Sequence, residues 1–162
     1  MRRSEPTFIS SWQRISDDVT TSGRLTDTDL FALEQMGVRH VIDLAPVQHE
    51  LALVDEGEKC AAAGIGHTLI EVPFNQPTEE LYQAFVAAYE SVQRPVHVHC
   101  VYNYRTSAFL YRYHLEHGMS EFDARRIMQR HWSPDLSDHP TARPWRKFIE
   151  QCSTAYSMAE AS

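Results

Sequence analysis

The stretch Pro95–Ser107 reads Pro-Val-His-Val-His-Cys-Val-Tyr-Asn-Tyr-Arg-Thr-Ser. Its alternating valines and histidines predict a short strand that ends at Cys100. Arg105 follows after four residues, and the apolar run 107–117 predicts a buried helix stopped by Gly118. A strand, a tight loop and a helix in this order direct backbone N–H groups and a helix N-terminus to one point, beside a thiol and a guanidinium.

This predicted loop suits phosphate chemistry, because it combines an anion receptor with a nucleophile. Cys100 attacks only as a thiolate, and both the helix N-terminus and Arg105 stabilise that charge. Arg105 can hold two phosphate oxygens in a fork, and the hydroxyl group of Thr106 or Ser107 can donate a hydrogen bond to the thiolate. Cysteine and arginine occur at this spacing by chance, but their ordered context is much rarer. The predicted phosphate-binding loop consists of Val101, Tyr102, Asn103, Tyr104 and Thr106.

Short apolar strands alternate with helices on both sides of this loop. Strands are predicted within 38–44, 67–72 and 96–99. Helices are predicted after the caps Thr26, Thr78 and Ser120, over about 49–63, over 107–117, and from Pro144. This alternation predicts an α/β fold, a three-layer sandwich with a mainly parallel central sheet. A single domain is expected over 7–152, with flexible termini at 1–6 and 153–162.

Helical periodicity predicts which side chains of these helices face the core. The first helix is expected to bury Phe31 together with its neighbouring leucines, and the helix after Ser120 is expected to bury Phe122. The last helix has a stripe that includes Trp145 and Cys152. In parallel sheets ligands bind beyond the carboxyl ends of the strands, which is where the predicted loop begins.

Composition and charge limit the partners that this chain can have. Apolar residues make up 43% of the 162 residues, and no apolar run is long enough to span a membrane. A formal net charge of -7 without a basic stripe argues against nucleic acid as a partner. Three widely spaced cysteines and a start without a signal-peptide pattern predict a reduced, cytoplasmic protein. The oligomeric state does not follow from the sequence.

Residues 19–149 resemble the bacterial branch of compact dual-specificity and tyrosine phosphatases that includes the beta-lactamase-hydrolase-like phosphatase domains. The resemblance rests on three motifs: Thr-Ser-Gly-Arg-Leu-Thr at 21–26, Gly-Val-Arg-His-Val-Ile-Asp-Leu at 37–44, and the active loop, where the four-residue spacing also occurs. It implies a phosphotyrosine-phosphatase-like fold in which Cys100 is the nucleophile, Arg105 clamps the phosphate and His99 orders the loop. It implies no cofactor and no metal.

The chain departs in three ways from the common phosphatase signature, His-Cys-x5-Arg-Ser/Thr. Its loop is one residue shorter, which removes one N–H donor. It also lacks glycine, so Asn103 is the residue best able to take a left-handed conformation. The family's general acid is usually an aspartate, but residues 73–77 read Pro-Phe-Asn-Gln-Pro, and an amide cannot protonate a leaving oxygen. The remaining candidate acids are Glu71, Asp135 and Asp138, although 132–140 also reads as a capped turn.

Two other classes of protein fit parts of this pattern. Many rhodanese-type sulfurtransferases share the Cys-x4-Arg loop length, with a cysteine persulfide in place of a phosphate ester. A phosphate-binding module without turnover would explain the missing carboxylate at Asn75. A catalytic metal is disfavoured, because the nine histidines lack an established metal-ligand spacing. Arginine followed by threonine and serine favours the phosphatase, acting on a phosphorylated protein or small molecule. Tyr102 and Tyr104 could form an aromatic rim for a phosphorylated ring.

Overall fold

The computed structural model describes residues 5–151. The strands are β1 (Gln13–Ser16), β2 (Val19–Ser22), β3 (His40–Asp43), β4 (Gly66–Leu69) and β5 (Val96–His99). The helices are α1 (Asp27–Gln35), α2 (Glu56–Ala62), α3 (Glu79–Ser91), α4 (Tyr104–Glu116), α5 (Glu121–Met128) and α6 (residues 143–151). Two 3₁₀ turns, Pro134–Leu136 and Pro140–Ala142, connect α5 to α6.

The strands form one sheet in the order β1-β2-β5-β3-β4. All neighbouring pairs are parallel except β1 and β2, which form an antiparallel hairpin at the edge. The mainly parallel sheet that the alternation of strands and helices predicts is therefore confirmed. The hairpin was not predicted, because residues 13–22 are mostly polar and lack an apolar run. β5 lies at the centre of the sheet, so its carboxyl end opens between β2 and β3.

Helices cover both faces of the sheet and complete the three layers. Neighbouring residues of β3 point to opposite faces, as strand geometry requires: Val41 joins the core under α1 and α2, whereas Ile42 joins the larger core under α3 to α6. The larger core is rich in aromatic rings; those fully buried include Trp145, Tyr82, Phe85 and Phe109.

The predicted helix caps are present. Thr26 and Asp29 form a reciprocal capping box at the start of α1, and Thr78 and Ser120 cap α3 and α5 through their hydroxyl oxygens. Gly37 follows α1 with a φ of +84°, a left-handed conformation that glycine adopts without strain. These local signals fix where α1 begins and ends and where α3 and α5 begin.

Two predicted core residues lie on the surface. Phe31 is 62% exposed and Phe122 is 74% exposed, so the prediction that they face the core is wrong. Leu30 and Leu33 turn the inner face of α1 to the sheet, and Phe31 is rotated away from that face. In α5 the contacts are made by Ala124 and Met128, one turn apart.

The predictions for Cys152 and for most of both termini fall outside residues 5–151. Within that range, no helix combines the length and apolar character needed to cross a lipid bilayer.

Candidate active site

The predicted loop lies at the carboxyl end of β5. Cys100 directly follows the strand and is only 1% exposed, and α4 begins at Tyr104, three residues earlier than the apolar run predicts. Arg105 therefore lies in the first turn of α4, where it is also largely buried. The strand, loop and helix inferred from the sequence are thus brought together, with the thiol at one end and the guanidinium at the other.

The loop presents a row of backbone donors without acceptors. Within residues 5–151, no hydrogen-bond acceptor is found for the N–H groups of Val101 to Thr106. The first N–H group that binds inside the protein belongs to Ser107 and donates to the carbonyl oxygen of Asn103 at 3.0 Å. Buried backbone donors are nearly always paired in proteins. Six consecutive donors that lack an acceptor in the described part of the chain, at the start of a 13-residue helix, are therefore able to hydrogen-bond an anion.

Asn103 shapes this loop in place of glycine. Its φ of +67° and ψ of 12° are left-handed, as the sequence predicts. Its side chain is fully buried, and its Nδ2 donates to the carbonyl oxygen of Ser11 and to Thr21 Oγ1, both at 3.0 Å. The amide thereby ties the loop to the β1–β2 hairpin. A left-handed non-glycine residue costs free energy, and these buried hydrogen bonds help to offset it.

The first peptide of the loop packs against Gly23. The carbonyl oxygen of Val101 accepts a hydrogen bond from the Arg24 N–H at 2.9 Å. A Cβ atom on Gly23 would lie only 2.4 Å from that oxygen, which is a backbone atom and cannot turn aside. Because the C=O and N–H of a trans peptide point in opposite directions, holding the Val101 carbonyl directs the Tyr102 N–H away from Arg24.

Arg105 is oriented by the loop that follows β4. Its Nε donates to the carbonyl oxygen of Val72 at 2.8 Å, and its guanidinium carbon lies 5.1 Å from the centre of the Phe74 ring. Within residues 5–151, no partner is found for its two terminal nitrogens. They are the fork with which a guanidinium binds two oxygens of one anion. The anchoring bond at Nε thus leaves the binding edge of Arg105 available.

A cleft of about 340 Å³ lies over the loop. Sequence reasoning predicted Tyr102 and Tyr104 at its rim, but it missed His49, from the loop after β3, and Phe74. A second cleft of about 380 Å³ shares Phe74 and Tyr104 with the first and extends to Trp132. Tyr104 and Trp132 stack with ring centres 4.8 Å apart. The first cleft is lined by His49, Phe74, Val101, Tyr102, Tyr104 and Arg105.

The three candidate acids lie elsewhere. Glu71 is exposed and accepts a hydrogen bond from the Val47 N–H at 2.9 Å. Both carboxylate oxygens of Asp135 accept a hydrogen bond from Nη1 of Arg125, each at 3.0 Å. Asp138 is exposed between the 3₁₀ turns. None of the three lines either cleft. Thr106 is fully buried, and within residues 5–151 no hydrogen-bond partner is found for its hydroxyl group, the Cys100 sulfur included.

His99 lies beneath the loop among buried acids. Its Nδ1 is 3.1 Å from the carbonyl oxygen of Cys100, and its Nε2 is 2.7 Å from Glu56 and 3.6 Å from Asp43. Burial disfavours a charge on His99, but the two carboxylates outweigh it and raise its pKa to about 10. Burial also disfavours a charge on Glu56 and so raises its pKa, but His99 and His67 outweigh this effect and lower the pKa to about 2. The site thus holds a buried ion pair that the sequence did not reveal.

The same acids also have the spacing of metal ligands. Ligand atoms of Asp43, Glu56 and His67 lie within 4.8 Å of one another. However, the Glu56 carboxylate already accepts from His67 at 2.9 Å as well as from His99, so its charge is compensated within the protein. That the chain needs no metal stays a prediction.

No protein-family model matches the sequence, and no curated protein is similar enough to count as a relative. A solved "Putative phosphatase (DUF442)" from Shewanella putrefaciens CN-32 superposes with a TM-score of 0.76 at 28% identity, over 91% of this chain and 92% of that chain. The fold is that of the tyrosine-phosphatase-like proteins. The Shewanella similarity also supports a phosphatase, because it extends over nearly the whole of both chains.

Two more distant structures share this tyrosine-phosphatase-like fold. A "putative phosphatase" from Neisseria meningitidis z2491 has a TM-score of 0.65 at 18% identity, over 88% of this chain and 96% of that one. TpbA from P. aeruginosa, solved in complex with pTyr, has a TM-score of 0.63 at 16% identity, over 96% of this chain and 94% of that one. At these identities both similarities speak for the fold alone.

Buried histidines predict that this phosphatase-like protein loses stability in acid. Burial lowers the pKa of His114 and of His131 to about 4, aided by His117 and Arg130 respectively, from an ordinary value of 6.5. An unfolded chain takes up these protons first, so their stabilising contribution is complete above pH 6.5 and is lost as the pH falls to about 4. Urea unfolding across this range should show a falling free energy of unfolding.

Two histidine-to-glutamine variants separate this effect from general acid sensitivity. His131→Gln should flatten part of the decline, whereas the same change at the exposed His139 should not. A free energy of unfolding that stays level between pH 6.5 and pH 4 in the wild-type protein would contradict the burial of neutral histidines.

Proposed function

We propose that this protein is a cysteine-dependent phosphatase that hydrolyses a phosphate monoester through a cysteinyl-phosphate intermediate. One observation carries the proposal: the six backbone N–H groups of Val101 to Thr106, which have no acceptor within residues 5–151, lie beside the terminal nitrogens of Arg105. The similarity to the Shewanella protein supports the same class of enzyme.

The proposed reaction has two steps. The Cys100 thiolate attacks phosphorus, an S–P bond forms, and the bond from phosphorus to the leaving oxygen breaks. Water then attacks the phosphorus of the cysteinyl-phosphate, which releases inorganic phosphate and restores the thiolate. Phosphoryl transfer needs positioning and charge stabilisation more than further covalent chemistry. The N–H groups of the loop and the guanidinium of Arg105 would supply both.

The leaving oxygen must gain a proton, and among residues 5–151 no carboxylate lines the cleft to give it. Asn75 occupies the loop where the family usually has an aspartate, and the lining residues of the cleft include only one imidazole, His49. The Nδ1 of His49 accepts a hydrogen bond from the Leu51 N–H at 3.1 Å. We therefore expect fast turnover only of substrates with good leaving groups, such as phenols, which depart with little help from an acid.

The aromatic lining of the cleft favours a phosphorylated aromatic ring as substrate. Phe74 and Tyr104 flank the space in front of Arg105, and Tyr102 is 51% exposed at its rim. A flat ring buries well against such side chains. A distant neighbour of the same fold was solved with pTyr bound, which is compatible with this choice.

Steady-state hydrolysis tests the proposed function. The protein is given an aryl phosphate and an alkyl phosphate across a range of pH. We expect turnover of the aryl phosphate, much slower turnover of the alkyl phosphate, and no alkaline limb for a general acid in the aryl profile. Absence of hydrolysis with both substrates would refute the phosphatase.

A sulfurtransferase is the second candidate, because the four residues between Cys100 and Arg105 match its common loop length. In that reaction the cysteine takes a sulfur atom from thiosulfate, releases sulfite and passes the sulfur to an acceptor such as cyanide. Thiocyanate formation without phosphate release would favour this candidate. Phosphate release without thiocyanate would favour the phosphatase.

The contact between Gly23 and the loop gives a prediction for activity. In Gly23→Ala, the new methyl group would lie 2.4 Å from the Val101 carbonyl oxygen, so the loop must shift. A misplacement of about 1 Å can cost about 10²-fold in rate, and we expect a loss of that order in aryl phosphate hydrolysis.

Gly66→Ala is the matched control for this variant. Its Cβ would lie equally close, 2.4 Å, to Nδ1 of His40, which is a side-chain atom at the opposite end of the sheet. That ring can move, and it lies far from the loop. We expect a lower melting temperature but nearly normal activity. Equal activity losses in both variants would show that the Gly23 contact has no special role.

A further inference from the structure

The two ring nitrogens of His99 both face acceptors. Nδ1 lies 3.1 Å from the carbonyl oxygen of Cys100, and a carbonyl can only accept, so this nitrogen carries a hydrogen. Nε2 lies 2.7 Å from Oε2 of Glu56. An ionised carboxylate also only accepts, so this nitrogen carries a hydrogen too. An imidazole with a hydrogen on both nitrogens is a cation.

The surroundings of His99 favour this charge. Asp43 on β3 approaches Nε2 to 3.6 Å as a second carboxylate, and Glu56 comes from the first turn of α2. His67 on β4 shares the Glu56 carboxylate. On β5, the ring centre of His97 lies 6.2 Å from that of His99. Two hydroxyl groups of β2 bind both nitrogens of His97 at 2.8 Å, and burial lowers the pKa of His97 well below 6.5.

The cation acts on the loop through a single peptide. By binding the Cys100 carbonyl, His99 fixes the plane of the Cys100–Val101 peptide, and the Val101 N–H must point the opposite way. That N–H is the first of the six without a protein acceptor. The next carbonyl, that of Val101, is held in turn by the Arg24 N–H. Hydrogen bonds from His99 and Arg24 thus fix the orientation of two consecutive peptides of the loop.

We propose that Glu56 is a positioning residue that, together with Asp43, keeps His99 as an imidazolium beneath the loop, where it fixes the first donor peptide and stabilises the Cys100 thiolate. The inference deepens the proposed function, because it assumes that Cys100 reacts as a thiolate. Glu56 is not among the residues that line the cleft. It acts through His99, and its carboxylate replaces solvent as the partner of a buried charge.

The test uses two readouts that need no turnover. The first is the NMR titration of ¹⁵N-labelled histidine, which reports whether His99 is doubly protonated. The second is the rate at which iodoacetamide alkylates Cys100, measured in a Cys152→Ser background. Cys60 does not interfere, because burial together with Glu56 and Asp43 raises the pKa of its thiol to about 12.

We expect His99 to remain an imidazolium at pH 8 in the wild-type protein. In Glu56→Gln the amide keeps the shape of the side chain but removes its charge. His99 should then titrate at lower pH, and alkylation of Cys100 at pH 6.5 should slow by about tenfold, because the thiolate loses the positive charge beside it. Inorganic phosphate should also bind more weakly.

Two control variants separate positioning from mere packing. Leu33→Ala removes a fully buried side chain from the core under α1 and α2 and should lower stability, yet leave the alkylation rate of Cys100 unchanged. Glu58→Gln removes an exposed charge from the same helix as Glu56 and should change neither readout. An equal slowing of alkylation in Leu33→Ala would show that lost packing alone explains the effect of Glu56→Gln, and it would overturn the proposal.

The proposal requires both readouts to change in Glu56→Gln. A folded Glu56→Gln protein in which Cys100 is alkylated at the wild-type rate, or in which His99 titrates as in the wild-type protein, would overturn it. If that variant does not fold, the wild-type titration decides, since a neutral His99 at pH 8 would overturn it and an imidazolium would support it. If alkylation slows as expected but no phosphate ester is hydrolysed, the proposed function fails while the role of Glu56 stands.

Discussion

Cys100→Ser is expected to lose at least about 10⁴-fold in the turnover of an aryl phosphate, because removal of a nucleophile costs rates of this order or more. A serine hydroxyl has the same position but is a far poorer nucleophile at neutral pH. The variant should still bind inorganic phosphate, since the N–H groups of the loop and the fork of Arg105 remain. Turnover should therefore fall without a matching loss of phosphate affinity.

The measurement compares turnover with phosphate binding by calorimetry in the same preparation. Cys60→Ala is the matched control, because it removes a second buried thiol from α2, away from the loop. It should lower stability and leave turnover nearly normal. Normal turnover in Cys100→Ser would contradict the cysteine mechanism.

Arg105→Ala is expected to weaken phosphate binding and turnover together, with a loss of turnover of about 10²–10³-fold, as for other donors that stabilise a transition state. The structure gives Arg105 two tasks, since Nε binds the Val72 carbonyl while the two terminal nitrogens remain for the ligand. A lysine has one ammonium and cannot do both. Arg105→Lys should therefore recover only a small part of the loss.

Arg126→Lys and Arg126→Ala are the matched controls, because Arg126 is exposed on α5 and lies outside both clefts. Neither change should alter phosphate affinity. If Arg105→Lys restored full turnover, a single positive charge would suffice, and the account of the guanidinium as a fork would be wrong.

The sequence predicted the features that depend on neighbouring residues. The order of strand, loop and helix around Cys100 could be read because all of its determinants lie within Pro95–Ser107. The left-handed Asn103 followed from the lack of glycine in the loop, and the helix start at Thr26 followed from its capping pattern. Each of these is decided by local conformational preference, which a single sequence carries.

The sequence could not predict what distant segments bring to the site. Glu56 lies 43 positions from His99. In the sequence nothing distinguishes it from the other acidic residues of a predicted helix. Phe74 and His49 reach the cleft only because the sheet places the loops after β3 and β4 beside β5. The β1–β2 hairpin is polar in sequence, and its burial depends on pairing with the rest of the sheet. Such contacts are set by tertiary structure.

The most direct test of the central claim is to trap the covalent intermediate. The protein is mixed with an aryl phosphate, quenched in acid within the first turnover, digested, and the peptide that contains Cys100 is weighed by mass spectrometry. We predict that this peptide carries one added phosphoryl group and that the Cys100→Ser peptide carries none. An unmodified Cys100 peptide during rapid phosphate release, or a phosphoryl group on another residue, would contradict the mechanism.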